Sequence, residues 1–108
     1  MIEDKYSTFG EYLRKLRENK SLTLREVAAN LSIDTSLLAK IERNERKPNR
    51  QMIKQFALFY EVEEKGLFNE FLSDQIVYKI LNEGADLNIL KVTKEKIEFI
   101  KTQNGEIQ

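Results

Sequence analysis

Residues 23–43 constrain the fold most, because they carry two short helix patterns separated by a break. Thr23 and Glu26 have the spacing of a capping box, which predicts that a helix begins directly after Thr23. Apolar residues then recur at helical spacing until residues 32–34 interrupt the period. Asp34 can cap a second helix. The segment therefore predicts two short helices joined by a tight turn.

The second of these helices has two chemically different faces. Leu38 and Ile41 lie on a face that we expect to be buried. The opposite face carries short or cationic side chains, which can enter a DNA major groove without clashing. The simpler alternative is that the hydroxyls only open the helix and that the lysine is a solvated cation. Under the DNA-binding interpretation, the candidate base-contacting residues are Thr35, Ser36, Ala39 and Lys40.

The surrounding residues extend the pattern on both sides. A helix-forming stretch, FGEYLRKLREN, and a short link at residues 20–22 precede the two helices, and a basic loop ending in Pro48 follows them. In this order, residues 9–52 resemble the phage repressor and Cro-like helix-turn-helix family, also called the xenobiotic response element family. The resemblance extends more loosely over residues 51–72. It implies an all-α, five-helix repressor-like DNA-binding headpiece that regulates transcription.

Two positions depart from the pattern of that family. Leu24 occupies a position where relatives carry a glutamine that touches a phosphate, so that contact is absent here. Asn44 occupies a position where relatives carry glycine in a left-handed conformation. Because asparagine adopts that conformation more easily than most other residues, we expect the turn to form at modest cost.

The resemblance also implies a structural ion pair between Arg17, on the first helix, and Glu42, at the end of the second helix of the motif. Such a pair would fix the angle of that helix. The alternative is that Glu42 accepts a hydrogen bond from a cytosine. Because Glu42 is adjacent to the inward-facing Ile41, the structural role is favoured.

The chain is neutral overall, but its charges are unevenly distributed. Residues 1–60 hold twelve Lys and Arg against eight Asp and Glu, whereas residues 61–108 hold six against ten. A basic half beside an acidic half is typical of a DNA-binding headpiece with a tail that avoids phosphates. The alternative is an ordinary solvated face. The expected phosphate contacts are Thr23 at its helix N-terminus, Arg43, Asn44, Arg46, Lys47 and Arg50.

The remaining periodicity predicts helices and no strands. We expect a DNA-binding domain at residues 1–72 and a helical extension at 73–108, with the fifth helix either continuing or restarting at Ser73 and a last helix capped by Asp86. The apolar faces of this extension could pack on the headpiece or form a homodimer, which the resemblance favours for binding a near-palindromic operator. The expected dimer interface is Ile76, Val77, Ile80, Leu81, Leu90, Ile97 and Ile100.

Other classes of protein receive little support. The chain has neither histidine nor cysteine, so an enzyme, a metal site, a cofactor or a disulfide scaffold is not expected. The chain starts acidic, and its longest apolar run, residues 56–60, is too short to span a membrane. We therefore expect a cytoplasmic protein that binds double-stranded DNA and itself, but no membrane. The alternatives are an antitoxin of a toxin-antitoxin pair and a protein-binding adaptor with a vestigial helix-turn-helix.

Overall fold

A computed structural model describes residues 7–105 of the chain. All regular structure in this range is helical and it contains no strand, which confirms the predicted all-α class. No helix in this range is long and apolar enough to cross a membrane. The acidic start of the chain lies outside the described residues. The helices are α1 (Phe9–Asn19), α2 (Leu24–Leu31), α3 (Thr35–Glu42), α4 (Arg50–Tyr60), α5 (Glu64–Glu83) and α6 (Asn88–Gln103).

Capping side chains determine where several of these helices begin. Thr8 and Glu11 form a capping box at α1, since the Thr8 hydroxyl accepts the Glu11 N–H at 3.2 Å and the Glu11 carboxylate accepts the Thr8 N–H at 2.9 Å. These bonds from Thr8 lower the pKa of Glu11. Asn49 caps α4 through a bond from the Met52 N–H, so that helix begins at Arg50. Asp34 occupies the cap position of α3, but its side chain makes no cap hydrogen bond.

The chain divides into two compact units, the first ending at Asp74 and the second beginning at Gln75. A single apolar core fills the first unit, and Leu13, Leu38 and Phe56 are fully buried in it. Tyr60 is also buried in this core, and the aromatic side chains of Phe59, Phe68 and Phe71 pack against it. The core is formed by Phe9, Leu13, Val27, Ala28, Leu38, Ile41, Ile53, Phe56, Ala57, Tyr60 and Leu67.

Two contacts join the start of α1 to the middle of α5. The Phe9 and Phe71 rings meet edge to face with centroids 5.4 Å apart. The Phe9 backbone N–H donates to the Asp74 carboxylate at 2.7 Å. Asp74 therefore satisfies an N–H group of the first turn of α1, which has no partner within its own helix.

The end of α5 and α6 form the second unit. Of the two courses predicted for the fifth helix at Ser73, the structure shows the continuous one, because α5 runs without a break to Glu83. The predicted cap at Asp86 is shifted: Leu87 holds the cap position, and the Asp86 carboxylate accepts the N–H of Asn88 at 2.7 Å. No residue of α6 is buried. The expected division into a DNA-binding domain at residues 1–72 and a helical extension at residues 73–108 stays a prediction.

Candidate nucleic-acid interface

The predicted capping box at the start of α2 is present. The Thr23 N–H donates to the Glu26 carboxylate at 2.8 Å, and the Thr23 hydroxyl accepts the Glu26 N–H at 3.1 Å. The backbone donor of Thr23, which was expected to contact a phosphate, is thus occupied within the protein. The Glu26 carboxylate also places a negative charge at this helix N-terminus, which weakens its attraction for a phosphate. Thr23 therefore caps α2, and its expected phosphate contact stays a prediction.

The turn between α2 and α3 is closed by backbone hydrogen bonds. Ser32 adopts a left-handed conformation with φ of 57°. The Ile33 N–H reaches back to the Ala28 carbonyl at 3.0 Å, and the Ser32 N–H bonds the Ala29 carbonyl at 3.3 Å. These two bonds form a Schellman-type helix end. They fix the direction in which the chain leaves α2 and enters α3.

Helix α3 presents one buried and one exposed face, as its periodicity predicted. Leu38, Ile41 and Glu42 are buried. Ser36 and Lys40 are exposed and lie one helical turn apart, so they share a face. The exposed face offers one hydroxyl and one flexible ammonium group, which can donate to base edges. Of the four candidate base contacts, Thr35, Ser36 and Lys40 are exposed, whereas Ala39 is half-buried.

Arg17 holds the end of α3 against α1. Its Nε and Nη2 atoms donate to the two carboxylate oxygens of Glu42, each at 2.9 Å, and its Nη1 donates to the Leu22 carbonyl at 3.1 Å. The side chains are 13% and 5% exposed. The hydrogen bonds that Arg17 donates to Glu42 raise the pKa of Arg17, and burial opposes that shift. A bidentate pair of this kind restricts both the position and the orientation of α3.

Asn44 is exposed, but its side chain forms hydrogen bonds with residues at the start of α1. It adopts the left-handed conformation predicted for it, with φ of 63°. Its side-chain oxygen accepts the Gly10 N–H at 3.0 Å, its side-chain nitrogen donates to the Thr8 hydroxyl at 2.9 Å, and its backbone N–H bonds the Ile41 carbonyl. These bonds attach the loop to the start of α1, and the expected phosphate contact of Asn44 stays a prediction.

Gly10 permits this close approach of α1 and the end of α3. A Cβ atom at Gly10 would lie 2.5 Å from the Glu42 carbonyl oxygen and 2.7 Å from that of Ile41. These are backbone atoms, which cannot move aside without displacing α3. Gly10 is not among the residues predicted from the sequence to have a role. The available signal was a glycine in the first turn of an otherwise regular helix pattern, which is unfavourable unless another backbone passes nearby.

The loop after α3 carries three of the predicted phosphate-binding cations. The Arg43 guanidinium forms two hydrogen bonds with the Glu45 carboxylate, at 2.8 and 3.1 Å. These bonds raise the pKa of Arg43 and lower the pKa of Glu45. Arg46 and Lys47 are exposed, and neither forms an ion pair within residues 7–105. Arg46 and Lys47 can therefore meet a phosphate without first leaving an acidic partner.

Arg50, the last predicted phosphate contact, is held against α5. Its guanidinium carbon lies 3.9 Å from the centroid of the Phe68 ring, which is a cation–π distance. Glu63 and Glu64 line the same shallow surface pocket. These two acids and the ring compete with a phosphate for the guanidinium. Arg50 is exposed, but it is a less available cation than Arg46 or Lys47.

Comparison with known protein families agrees with this geometry. A family model described as a helix-turn-helix domain matches residues 10–71, which is more than half of the chain. The chain therefore belongs to the helix-turn-helix family, a class of regulators that bind double-stranded DNA. The matched range begins in α1 and ends in α5, so it includes the whole α2–turn–α3 segment. No curated protein and no solved structure matched the chain.

Proposed function

We propose that this chain is a sequence-specific transcription regulator that binds a near-palindromic operator as a homodimer. The observation that chiefly supports this proposal is the combination of an exposed polar face on α3 with a buried ion pair at the end of that helix. Ser36 and Lys40 are available on that face, while Arg17 and Glu42 hold the helix in one orientation. Reading a base edge requires such a fixed orientation, because hydrogen bonds to bases are directional.

The roles divide between reading bases and holding the backbone. Lys40 is the longest donor on the face of α3, and it would donate to guanine O6 or N7. Thr35, Ser36 and Ala39 would make shorter contacts with neighbouring bases. Arg46 and Lys47, with Arg43 once it leaves Glu45, would bind phosphates and so supply affinity without sequence preference. Arg50 would contribute where it can remain stacked on Phe68.

The second unit supplies the reason for proposing a homodimer. Leu81, Leu90, Ile97 and Ile100 are each at least half exposed, which is unusual for several large apolar side chains within one short segment of the chain. Residues 75–108 hold five lysines against five acidic residues. A neutral surface with both signs of charge can meet a copy of itself without net repulsion. The proposed interface comprises Ile76, Val77, Ile80, Leu81, Leu90, Ile97 and Ile100.

Footprinting of the purified protein on the DNA upstream of its own gene tests this function. We expect two protected half-sites related by an approximate dyad, with centres about 34 Å apart or a multiple of that distance. Protection of a single half-site would contradict the dimer, and absence of protection at any concentration would contradict operator binding at that DNA.

The exposed apolar face of the second unit also favours a second candidate function, in which this face binds a different protein. An antitoxin would combine that interaction with DNA binding, whereas an adaptor would not bind DNA at all. Binding to mixed-sequence duplex DNA at low salt separates these candidates. The regulator and the antitoxin should both bind, because phosphate contacts dominate under that condition. An adaptor should not bind.

A further inference from the structure

A depression of about 220 Å³ lies where α1, the start of α2 and the end of α3 meet. Leu24 and Ala39 contribute apolar side chains to it. Arg17 uses three of its five N–H donors on Glu42 and the Leu22 carbonyl, and its side chain is largely buried. The accessible donors for a ligand therefore belong mainly to the other two arginines, whose side chains are more than half exposed. The lining residues are Arg14, Arg17, Leu24, Ala39, Glu42 and Arg43.

Each of these two arginines has a single acidic partner at the surface. Arg14 pairs with Glu18 at 3.1 Å, and its side chain is 63% exposed. Arg43 pairs with Glu45 at 2.8 Å, and its side chain is 57% exposed. Exposed pairs of this kind contribute little to stability, so an incoming anion can replace the carboxylate at small cost. The lining itself holds three arginines and one glutamate, which leaves it positively charged.

We propose that this depression binds a phosphate of the DNA backbone, with Arg14 and Arg43 as its two donors. This inference rests on the proposed DNA-binding function. Ala39 and Arg43 belong both to the depression and to the candidate DNA-contacting residues, so the depression borders the face of α3 that would enter the groove. Guanidinium groups bind phosphate oxygens through two parallel hydrogen bonds. Arg14 is thereby added to the phosphate-binding set as a residue from α1, outside the helix-turn-helix segment.

Three variants of the full-length protein test the assignment of Arg14. Arg14→Gln removes the cation from the depression. Glu18→Gln breaks the same ion pair but leaves Arg14 in place. Lys79→Gln is the matched control, because Lys79 forms a similar exposed pair with Glu83 one helical turn away at 3.3 Å. Affinity for a mixed-sequence duplex of about 30 base pairs, long enough for two half-sites, is measured by fluorescence anisotropy between about 50 and 200 mM salt.

Arg14→Gln should reduce the slope of log K against log salt by about 0.9 and weaken binding roughly fivefold to tenfold near 0.1 M salt. Glu18→Gln should keep the parental slope and bind at least as tightly as the parent. Lys79→Gln should match the parent in both quantities. An unchanged slope in Arg14→Gln overturns the proposal. Equal losses in Arg14→Gln and Glu18→Gln also overturn it, because they would assign the pair a purely structural role.

Failure of the underlying function gives a different result from failure of this inference. If the parent protein does not bind the duplex even at the lowest salt, the DNA-binding function itself is wrong. If the parent binds with a normal salt dependence and Arg14→Gln behaves identically, only the assignment of Arg14 is wrong. Thermal melts of the three variants confirm that they are folded, which we expect because the substituted side chains are all more than half exposed.

Discussion

The side-chain oxygen of Asn44 accepts the backbone N–H of Gly10 at 3.0 Å, so the loop after α3 is attached directly to the first turn of α1. The same glycine lies against the carbonyl oxygens of Ile41 and Glu42. The hydrogen bond and the close approach act together, because the loop can reach α1 only if position 10 has no Cβ atom. The placement of α3 therefore depends on a residue outside the helix-turn-helix segment.

Gly10→Ala should lower the free energy of unfolding by about 2 kcal/mol or more, since the added Cβ overlaps two backbone oxygens. DNA affinity should also fall, because α3 must shift to relieve the overlap. Gly66→Ala is the control: it is helical, and its Cβ would meet only the Glu63 side chain at 3.6 Å. The control should gain about 0.5–1 kcal/mol. Denaturant melts that show equal effects would contradict the steric role of Gly10.

Arg17→Ala should lower the free energy of unfolding by about 3 kcal/mol, because it leaves the buried Glu42 carboxylate without its partner. Arg14→Ala is the control, as it breaks an exposed pair with Glu18 and should change the free energy of unfolding by less than about 0.5 kcal/mol. Urea denaturation of the three proteins compares these effects. A loss at Arg17 as small as that at Arg14 would show that the pair does not stabilise the fold.

Tyr60 should make the stability depend on pH in the alkaline range. The pKa of its hydroxyl is raised to about 12 from an ordinary value of 10.0, chiefly by burial and also by the nearby Glu42, while Arg17 opposes the shift. Because the folded state favours the protonated phenol, stability is unaffected below about pH 10 and is lost as the pH rises towards about 12. Tyr60→Phe should lose less stability between about pH 9 and about pH 11.

At neutral pH the same substitution should cost little. No group within residues 7–105 hydrogen-bonds the buried Tyr60 hydroxyl, so removing that hydroxyl also removes an unsatisfied polar atom. Chemical denaturation at neutral pH, about pH 9 and about pH 11 compares the free energies of unfolding of the parent protein and Tyr60→Phe. Parallel losses in the two proteins would mean that other groups, such as the lysines, account for the alkaline decline.

The local features of this fold were predictable from the sequence, because short-range hydrogen bonds determine them. Both capping boxes follow from a threonine and a glutamate three residues apart, at Thr8 and at Thr23. The left-handed conformation of Asn44 follows from the residue type and its place after a helix. The buried face of α3 follows from helical periodicity. None of these features requires knowledge of the rest of the chain.

The features that sequence reasoning missed depend on residues that are distant along the chain. The bond from the Phe9 N–H to Asp74 joins positions 65 residues apart, and no local pattern indicates it. The same is true of the bond between the Gly10 N–H and the Asn44 side-chain oxygen, which joins positions 34 residues apart. One missed feature is local instead: charge counts placed Arg43 on a basic surface, but they did not indicate that Glu45, two residues later, forms two hydrogen bonds with it.

Lys40→Ala should relax the base preference of the protein, because it removes the longest donor from the exposed face of α3. We expect a loss of about 1–3 kcal/mol in discrimination at one or two operator positions. Lys47→Ala should instead weaken binding to all sequences and reduce the salt slope by about 0.9. Selection from a randomised half-site with both variants tests the division. An unchanged preference in Lys40→Ala would remove Lys40 from the base-reading set.

The last prediction concerns the proposed dimer. A single copy of α3 would contact too few base pairs for high specificity, so two copies are needed. Ile97→Asn combined with Ile100→Asn in the full chain should convert the dimer to a monomer at micromolar concentration, since both side chains belong to the proposed apolar interface. Operator affinity should fall sharply while weak non-specific binding persists. Lys91→Asn combined with Lys94→Asn is the control on the same helix and should remain dimeric.

Sedimentation measures the oligomeric state of these proteins. It therefore tests whether the apolar face of the second unit is a dimer interface or has a purely structural role. A truncation at Ser73 is unsuitable for this test, because it would also remove Asp74 and the bond that Asp74 accepts from the Phe9 N–H. A chain ending after Tyr78 retains that bond and should sediment as a monomer. If the parent protein is itself monomeric at micromolar concentration, or if the shortened chain still dimerises, the second unit is not the dimer interface.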